Sequence, residues 1–77
     1  MGKTMQELTE KQKETLLYID NFIKKNGYSP STREIGYVFN LSVRAVQLRL
    51  EALQRKGYIN RPYGLARAIT IIKPELT

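Results

Sequence analysis

The apolar residues of the segment LTEKQKETLLYIDNFIKKNG recur every three or four positions, which is the period of an α-helix. This apolar stripe consists of Leu16, Ile19 and Ile23, with Phe22 at its edge. Thr9 and Gln12 have the spacing of a capping box, in which each side chain binds the other residue's backbone N–H. Gly27 is the residue type that most often follows a helix. The pattern therefore predicts a first helix from about Thr9 to Lys25.

Two shorter helical patterns follow, separated by only about three residues. Ser31 and Glu34 repeat the spacing of a capping box, and Ser42 is placed to cap a third helix that ends near Gly57. The predicted inward face of the second helix consists of Ile35, Val38 and Phe39. The predicted buried stripe of the third helix consists of Val43, Val46, Leu50 and Leu53. Two helices joined so closely have the outline of a helix-turn-helix.

The last third of the chain changes from a helical to a strand-like pattern. Tyr58 and Ile59 are β-prone, AITII is a second β-prone run, and NRPYGLAR between them contains the Pro and Gly of a turn. We expect a two-stranded antiparallel hairpin. The fold class is mainly α with a small β-hairpin: a winged helix-turn-helix of three helices and a wing. We place this domain at residues 8–72, after an N-terminal extension at 1–7 and before a C-terminal tail or linker start at 73–77.

Composition narrows the possible functions. Thirteen Lys and Arg against seven Asp and Glu give a net charge of +6, which favours a polyanionic partner over a merely solvated basic surface. The chain has no Cys and no His, so it lacks disulfides, the usual zinc ligands and the commonest general base. We expect no enzyme activity, no cofactor, no metal and no small-molecule ligand. No apolar run approaches the ~20 residues of a membrane span, so we expect a cytoplasmic, nucleoid-associated protein.

One leucine of the third helix does not fit the buried stripe. Leu48 lies nearly opposite it, beside Arg44 and Gln47. In a helix-turn-helix this face enters the major groove, where arginine pairs with guanine, glutamine pairs with adenine and an aliphatic group meets the thymine methyl. Ala45 would permit a close approach, and the Ser42 hydroxyl would cap the helix and touch a phosphate. The alternatives for Leu48 are a protein interface or an exposed apolar residue without a role.

Further candidates for DNA contact lie outside the third helix. At the start of the second helix they are Ser31, Thr32 and Arg33, and in the wing they are Arg61, Tyr63 and Arg67. Both groups would bind the backbone, and the wing could also enter the minor groove. A capping role for the serine and a solvated hairpin are the alternatives. Lys56 would either complement the helix dipole or contact a phosphate.

The segments LTEKQKETLLYIDNFIKKNGYSPSTREI, LEALQRKGYI and RAITI resemble the N-terminal DNA-binding domain of the LexA repressor family over about residues 7 to 72. The most specific parts are LT-x-x-Q, GYSPS-x-REI and L-x-AL-x-x-KGYI. The resemblance implies a transcriptional repressor of the bacterial DNA-damage (SOS) response that binds a double-stranded operator. By position, the family's recognition residues carry over to Ser42, Arg44, Ala45, Gln47 and Leu48, and the wing to 61–67.

The sequence also departs from the family pattern. The turn FNL is one residue shorter than in several members, and Arg44 and Leu48 stand where Asn and Glu are frequent, so the resemblance does not fix the operator. In the family that this chain resembles, the full repressors have two domains, and the second is a Ser-Lys domain that cleaves itself and dimerises. We expect this chain, which ends before such a domain, not to cleave itself and to be a monomer or a weak homodimer. The competing hypothesis is a protein-docking module in which Leu48 and Tyr63 form an apolar contact.

Overall fold

The computed structural model describes residues 8–62 and 67–72, and within them the chain forms three helices followed by a hairpin. The elements are α1 (Glu10–Asn26), α2 (Thr32–Phe39), α3 (Val43–Arg55), β1 (Ile59–Asn60) and β2 (Thr70–Ile71). The two strands pair antiparallel, with Ile59 opposite Ile71. Strand β2 is shorter than the β-prone run AITII, although a bond from the Ile72 N–H to the Tyr58 carbonyl (2.8 Å) extends the pairing. The predicted winged helix-turn-helix is confirmed.

The ends of α1 follow from its sequence. The Thr9 hydroxyl accepts the Gln12 N–H and the Gln12 side chain accepts the Thr9 N–H, both at 3.1 Å, so the predicted capping box is present. Gly27 adopts the left-handed conformation with φ of 84° and donates its N–H to the Ile23 carbonyl at 2.8 Å. This conformation has little cost for a residue without a Cβ atom. The helix extends one residue beyond the predicted end, to Asn26.

The joint between α2 and α3 is tight because of one glycine. Asn40 leaves α2 in the left-handed conformation, with φ of 58°, and the Leu41 N–H donates to the Gly36 carbonyl at 2.8 Å. A Cβ atom at Gly36 would lie 2.6 Å from the Leu41 carbonyl oxygen. Glycine thus allows the turn to fold back onto α2 and hold the start of α3 against it.

The core lies between the three helices and the inner side of the hairpin. Its fully enclosed side chains include Leu16, Ile19, Ile35, Val46, Leu50, Leu53 and Ile59. Two predicted core positions are wrong: Val38 is 51% exposed and Val43 is 44% exposed. Each is at the margin of its apolar stripe, since Val43 is the first residue of α3 and Val38 borders an open groove beside Tyr18 and Phe22. Within the described residues, no helix is both long and apolar enough to cross a membrane.

Candidate nucleic-acid interface

Helix α3 has one face fixed in the core and one face open to solvent. Val46, Leu50 and Leu53 have no exposed surface, so the helix cannot rotate about its axis without exposing them. On the other side Arg44 is exposed and Leu48 is 51% exposed. The outward orientation predicted for Leu48 is therefore correct, and its contact with DNA stays a prediction.

The N-terminus of α3 is capped without an acidic side chain. The Ser42 hydroxyl accepts the Ala45 N–H at 3.1 Å, as predicted, but no acidic residue occupies the first turn, which carries Arg44. The unpaired N–H groups and the helix dipole make such an end electropositive. This end of α3 is therefore suited to bind an anion such as a phosphate.

A second basic surface lies between the start of α2 and the hairpin. A cleft of about 300 Å³ brings together predicted backbone contacts from both regions. These are Ser31, Thr32, Arg33, Arg61 and Arg67. Tyr63, the remaining predicted wing residue, lies outside the described residues. The sequence placed these side chains in two separate groups, and the fold brings five of the six to one cleft.

Arg67 is bound to the protein itself. Its Nη1 and Nη2 atoms donate to the two carboxylate oxygens of Glu34 at 2.9 and 2.8 Å, and Nη1 also donates to the Ser29 carbonyl at 3.2 Å. The guanidinium lies 5.0 Å from the centre of the Tyr28 ring. The hydrogen bond from Arg67, and after it the backbone bond from Ser31, lowers the pKa of the Glu34 carboxyl. The capping pattern predicted one partner for Glu34, and no sequence signal indicated the second.

Two other basic side chains also contact α1 or its cap. Arg49 donates to the Thr15 hydroxyl at 3.1 Å and lies over the Phe39 ring, and Lys56 donates to the Gln12 side chain at 2.7 Å. These contacts join the middle and the C-terminal cap of α3 to α1. Arg33 and Arg44 are exposed at the starts of α2 and α3, and further exposed basic side chains lie on α1 and at the end of α3, at Lys11, Lys24, Lys25 and Arg55.

The short joint, the exposed basic face of α3 and the antiparallel hairpin define a winged helix-turn-helix domain. The LexA DNA binding domain family matches residues 5–68. The chain is similar to the LexA repressor of Thermotoga maritima, with 51% identity over 90% of this chain and 35% of that protein. It is 49% identical to the repressor of Thermotoga neapolitana over 90% and 35% of the two chains, and 38% identical to that of Leptospira biflexa over 90% and 34%. The chain belongs to the LexA DNA-binding domain family. It spans about a third of the length of these relatives.

Proposed function

We propose that this chain binds double-stranded DNA in a sequence-specific manner and serves as the DNA-binding part of a LexA-type transcriptional repressor. The observation that carries the proposal is the orientation of α3, whose core face is fully enclosed while Arg44 and Leu48 remain exposed. A helix of this kind fits the major groove, which is wide enough to admit it. The relatives named LexA repressor support the same assignment.

In this proposal the first two turns of α3 read the bases. Arg44 donates to the O6 and N7 atoms of guanine, Gln47 pairs with adenine and Leu48 packs against a thymine methyl. Ala45 has the smallest side chain that keeps helix propensity, and it permits the helix to approach the bases closely. Ser42 binds a phosphate at the positive end of the helix.

The second basic surface supplies affinity rather than base choice. Ser31 and Thr32 lie at the start of α2, where backbone N–H groups and the helix dipole favour a phosphate. Arg33 and Arg61, which line the same cleft, add positive charge. Contacts of this kind fix the register of a protein on the duplex without reading its sequence. Tyr63, which lies outside the described residues, would add to these contacts as the sequence predicts.

Selection from a random duplex library at physiological salt tests the proposal directly. We expect enrichment of a defined sequence. A single half-site would indicate a monomeric domain, and an inverted repeat would indicate a homodimer on DNA. Recovery of no preferred sequence would contradict the proposed function.

Two types of variant separate base reading from backbone contact. Arg44→Ala and Gln47→Ala should each relax the preference at one base pair, at a cost of about 1–3 kcal/mol. Arg33→Ala should weaken all sequences alike and reduce the salt dependence of the binding constant by about one phosphate contact. If Arg44→Ala and Gln47→Ala also weakened binding to all sequences alike, α3 would not be the element that reads the bases.

We further propose that the repressor acts on bacterial DNA-damage genes, from the nucleoid in the cytoplasm, and that this chain alone neither cleaves itself nor dimerises strongly. Chromatin precipitation before and after DNA damage tests the first point, because occupancy should fall after damage. Incubation of the purified chain followed by mass spectrometry tests self-cleavage. Sedimentation with and without the selected operator measures dimerisation.

The second candidate function is a protein-docking module. It is favoured by exposed apolar side chains: Tyr37 is 91% exposed, and Leu48 and Val38 are each 51% exposed. Tyr37 and Val38 line one groove, but exposed apolar residues are common on protein surfaces and the basic charge at the starts of α2 and α3 favours DNA. A docking module would show weak duplex binding that is indifferent to sequence.

A further inference from the structure

The contact between Arg67 and Glu34 joins the wing to α2 over a sequence separation of 33 residues. We propose that Arg67 is a positioning residue, which sets the wing against the start of α2, and that it is not a phosphate ligand. This inference rests on the proposed DNA-binding function, because its main readout is affinity for the operator. The competing interpretation is the direct contact with DNA that the sequence predicts for Arg67.

The donors of the guanidinium are already directed at protein acceptors. Nη1 binds Glu34 and the Ser29 carbonyl, and Nη2 binds the second oxygen of Glu34. An arginine has five donors, so these bonds use three of them. A bidentate arginine–carboxylate pair is one of the strong, geometrically specific hydrogen-bond arrangements of proteins. A phosphate could bind the same Nη1 and Nη2 donors only by displacing the Glu34 carboxylate. The two donors that remain, on Nε and Nη2, belong to a guanidinium whose charge is already paired with that carboxylate.

The carboxylate is itself fixed before the arginine binds it. Glu34 Oε1 accepts the Ser31 N–H at 3.0 Å, and the Glu34 N–H donates to the Ser31 hydroxyl at 3.1 Å. The capping box therefore holds the acceptor in place at the start of α2. Since both partners of the ion pair are ordered by other contacts, the pair transmits the position of α2 to the wing.

A second bond connects the same two regions. The Ile69 N–H, just before β2, donates to the hydroxyl of Ser29 at 3.1 Å, and Ser29 is buried. Arg67 also adopts a left-handed backbone conformation, with φ of 54°, which is uncommon for a residue other than glycine. The side-chain contacts thus coincide with the place where the wing returns to the domain.

Glu34→Gln removes the charge and preserves the cap. In α1 the equivalent position is Gln12, whose side chain accepts the Thr9 N–H at 3.1 Å as Glu34 accepts the Ser31 N–H. The variant therefore isolates the ion pair. Glu14→Gln is the matched control, because it removes the same charge from an exposed carboxylate for which the described residues show no ion pair.

The test is a double-mutant cycle on operator affinity with wild type, Glu34→Gln, Arg67→Ala and the double variant. If Arg67 positions the wing, Glu34→Gln should weaken binding at least threefold, and it should have no further effect when Arg67 is already Ala. Glu14→Gln should slightly strengthen binding, because it removes a negative charge. If Arg67 binds a phosphate, Glu34→Gln should strengthen binding as well, and that result would overturn the inference.

Amide hydrogen exchange in the free chain gives a readout without DNA. Glu34→Gln should raise the exchange rate of the Ile69 N–H, which donates to Ser29 beside the ion pair, and Glu14→Gln should leave it unchanged. An equal rate in wild type and Glu34→Gln would contradict the inference. If the wild-type chain selected no operator, the proposed function would fail, while the exchange rates would still decide whether the pair holds the wing.

Discussion

The two helices of the helix-turn-helix begin in the same way and then differ at one position. Ser31 caps α2 and Ser42 caps α3, and each hydroxyl accepts the N–H three residues later at 3.1 Å. In α2 that third residue is Glu34, whose carboxylate returns to the Ser31 N–H and also binds Arg67. In α3 it is Ala45, and the positive end of the helix has no carboxylate.

The difference concerns how strongly each helix end attracts an anion. A carboxylate in the first turn stabilises a helix through the cap and the dipole, usually by less than about 1 kcal/mol. At the same place it weakens the attraction for a phosphate, and in α2 the ion pair with Arg67 offsets part of that charge. Helix α2 has the stabilising residue at its N-terminus, and α3 lacks it where the proposed DNA interface requires a positive charge. The four predictions below test this contrast, from the largest expected effect to the smallest.

Gly36→Ala should disturb the joint between α2 and α3. The new Cβ atom would lie 2.6 Å from the Leu41 carbonyl oxygen, so the joint must open, and overpacking of this kind costs about 1–3 kcal/mol. Urea denaturation measures the loss. Gly27→Ala is the control, because no atom lies within 4 Å there and only the left-handed φ of 84° opposes the side chain. A Gly36→Ala variant as stable as the wild type would show that the joint relaxes freely.

Ala45→Glu should give the N-terminus of α3 the same carboxylate that Glu34 provides in α2. The new carboxylate completes a capping box with Ser42, so thermal stability should be equal or slightly higher. Operator affinity should fall at least tenfold, or about 1.4 kcal/mol, because a negative charge then faces the phosphates. Ala45→Gln, which caps without charge, is the control. Unchanged affinity in Ala45→Glu would show that this end of α3 does not approach DNA.

Ser42→Ala should destabilise the fold more than Ser31→Ala. Loss of an N-cap hydroxyl costs about 1 kcal/mol, which corresponds to about 4–8 °C in a domain of this size. Glu34 still accepts the Ser31 N–H after the second change, so half of that capping box remains. Thermal melting of both variants, with Ser42→Thr as the conservative control, measures the difference. The reverse order would contradict the contrast between the two ends.

The α2 end should respond to acid. The pKa of the Glu34 carboxyl is lower in the folded chain than the ordinary value of 4.5, because Arg67 and the Ser31 N–H bind its ionised form. The resulting stability is present above that ordinary value and is lost as the pH falls through the lowered folded-state pKa. The stability difference between wild type and Glu34→Gln should therefore shrink in acid. A difference that is constant between pH 7 and strong acid would exclude a role for the charge.

Local chemistry made much of this fold predictable. Capping boxes, the glycine after α1 and the period of the apolar residues depend on neighbours within one or two helical turns, so the sequence indicates them directly. Val38 and Val43 were misplaced, because the width of a buried stripe depends on which elements cover it. The partner of Arg67 could not be predicted, since the ion pair forms only when the wing folds against α2. The residues of α3 proposed to contact DNA were predicted from the face opposite its apolar stripe, and the structure confirms only that Arg44 and Leu48 on this face are exposed.

The hydrogen bond from the Leu41 N–H to the Gly36 carbonyl, together with the shared core position of Ile35 and Val46, holds α2 and α3 in one arrangement. The hydroxyls of Ser31 and Ser42, each held by its capping bond, therefore stand at a defined spacing. If both helix ends contact phosphates, as proposed, this spacing would favour one groove width at every site. Operators with a widened or compressed groove would then be rejected even where every base is correct.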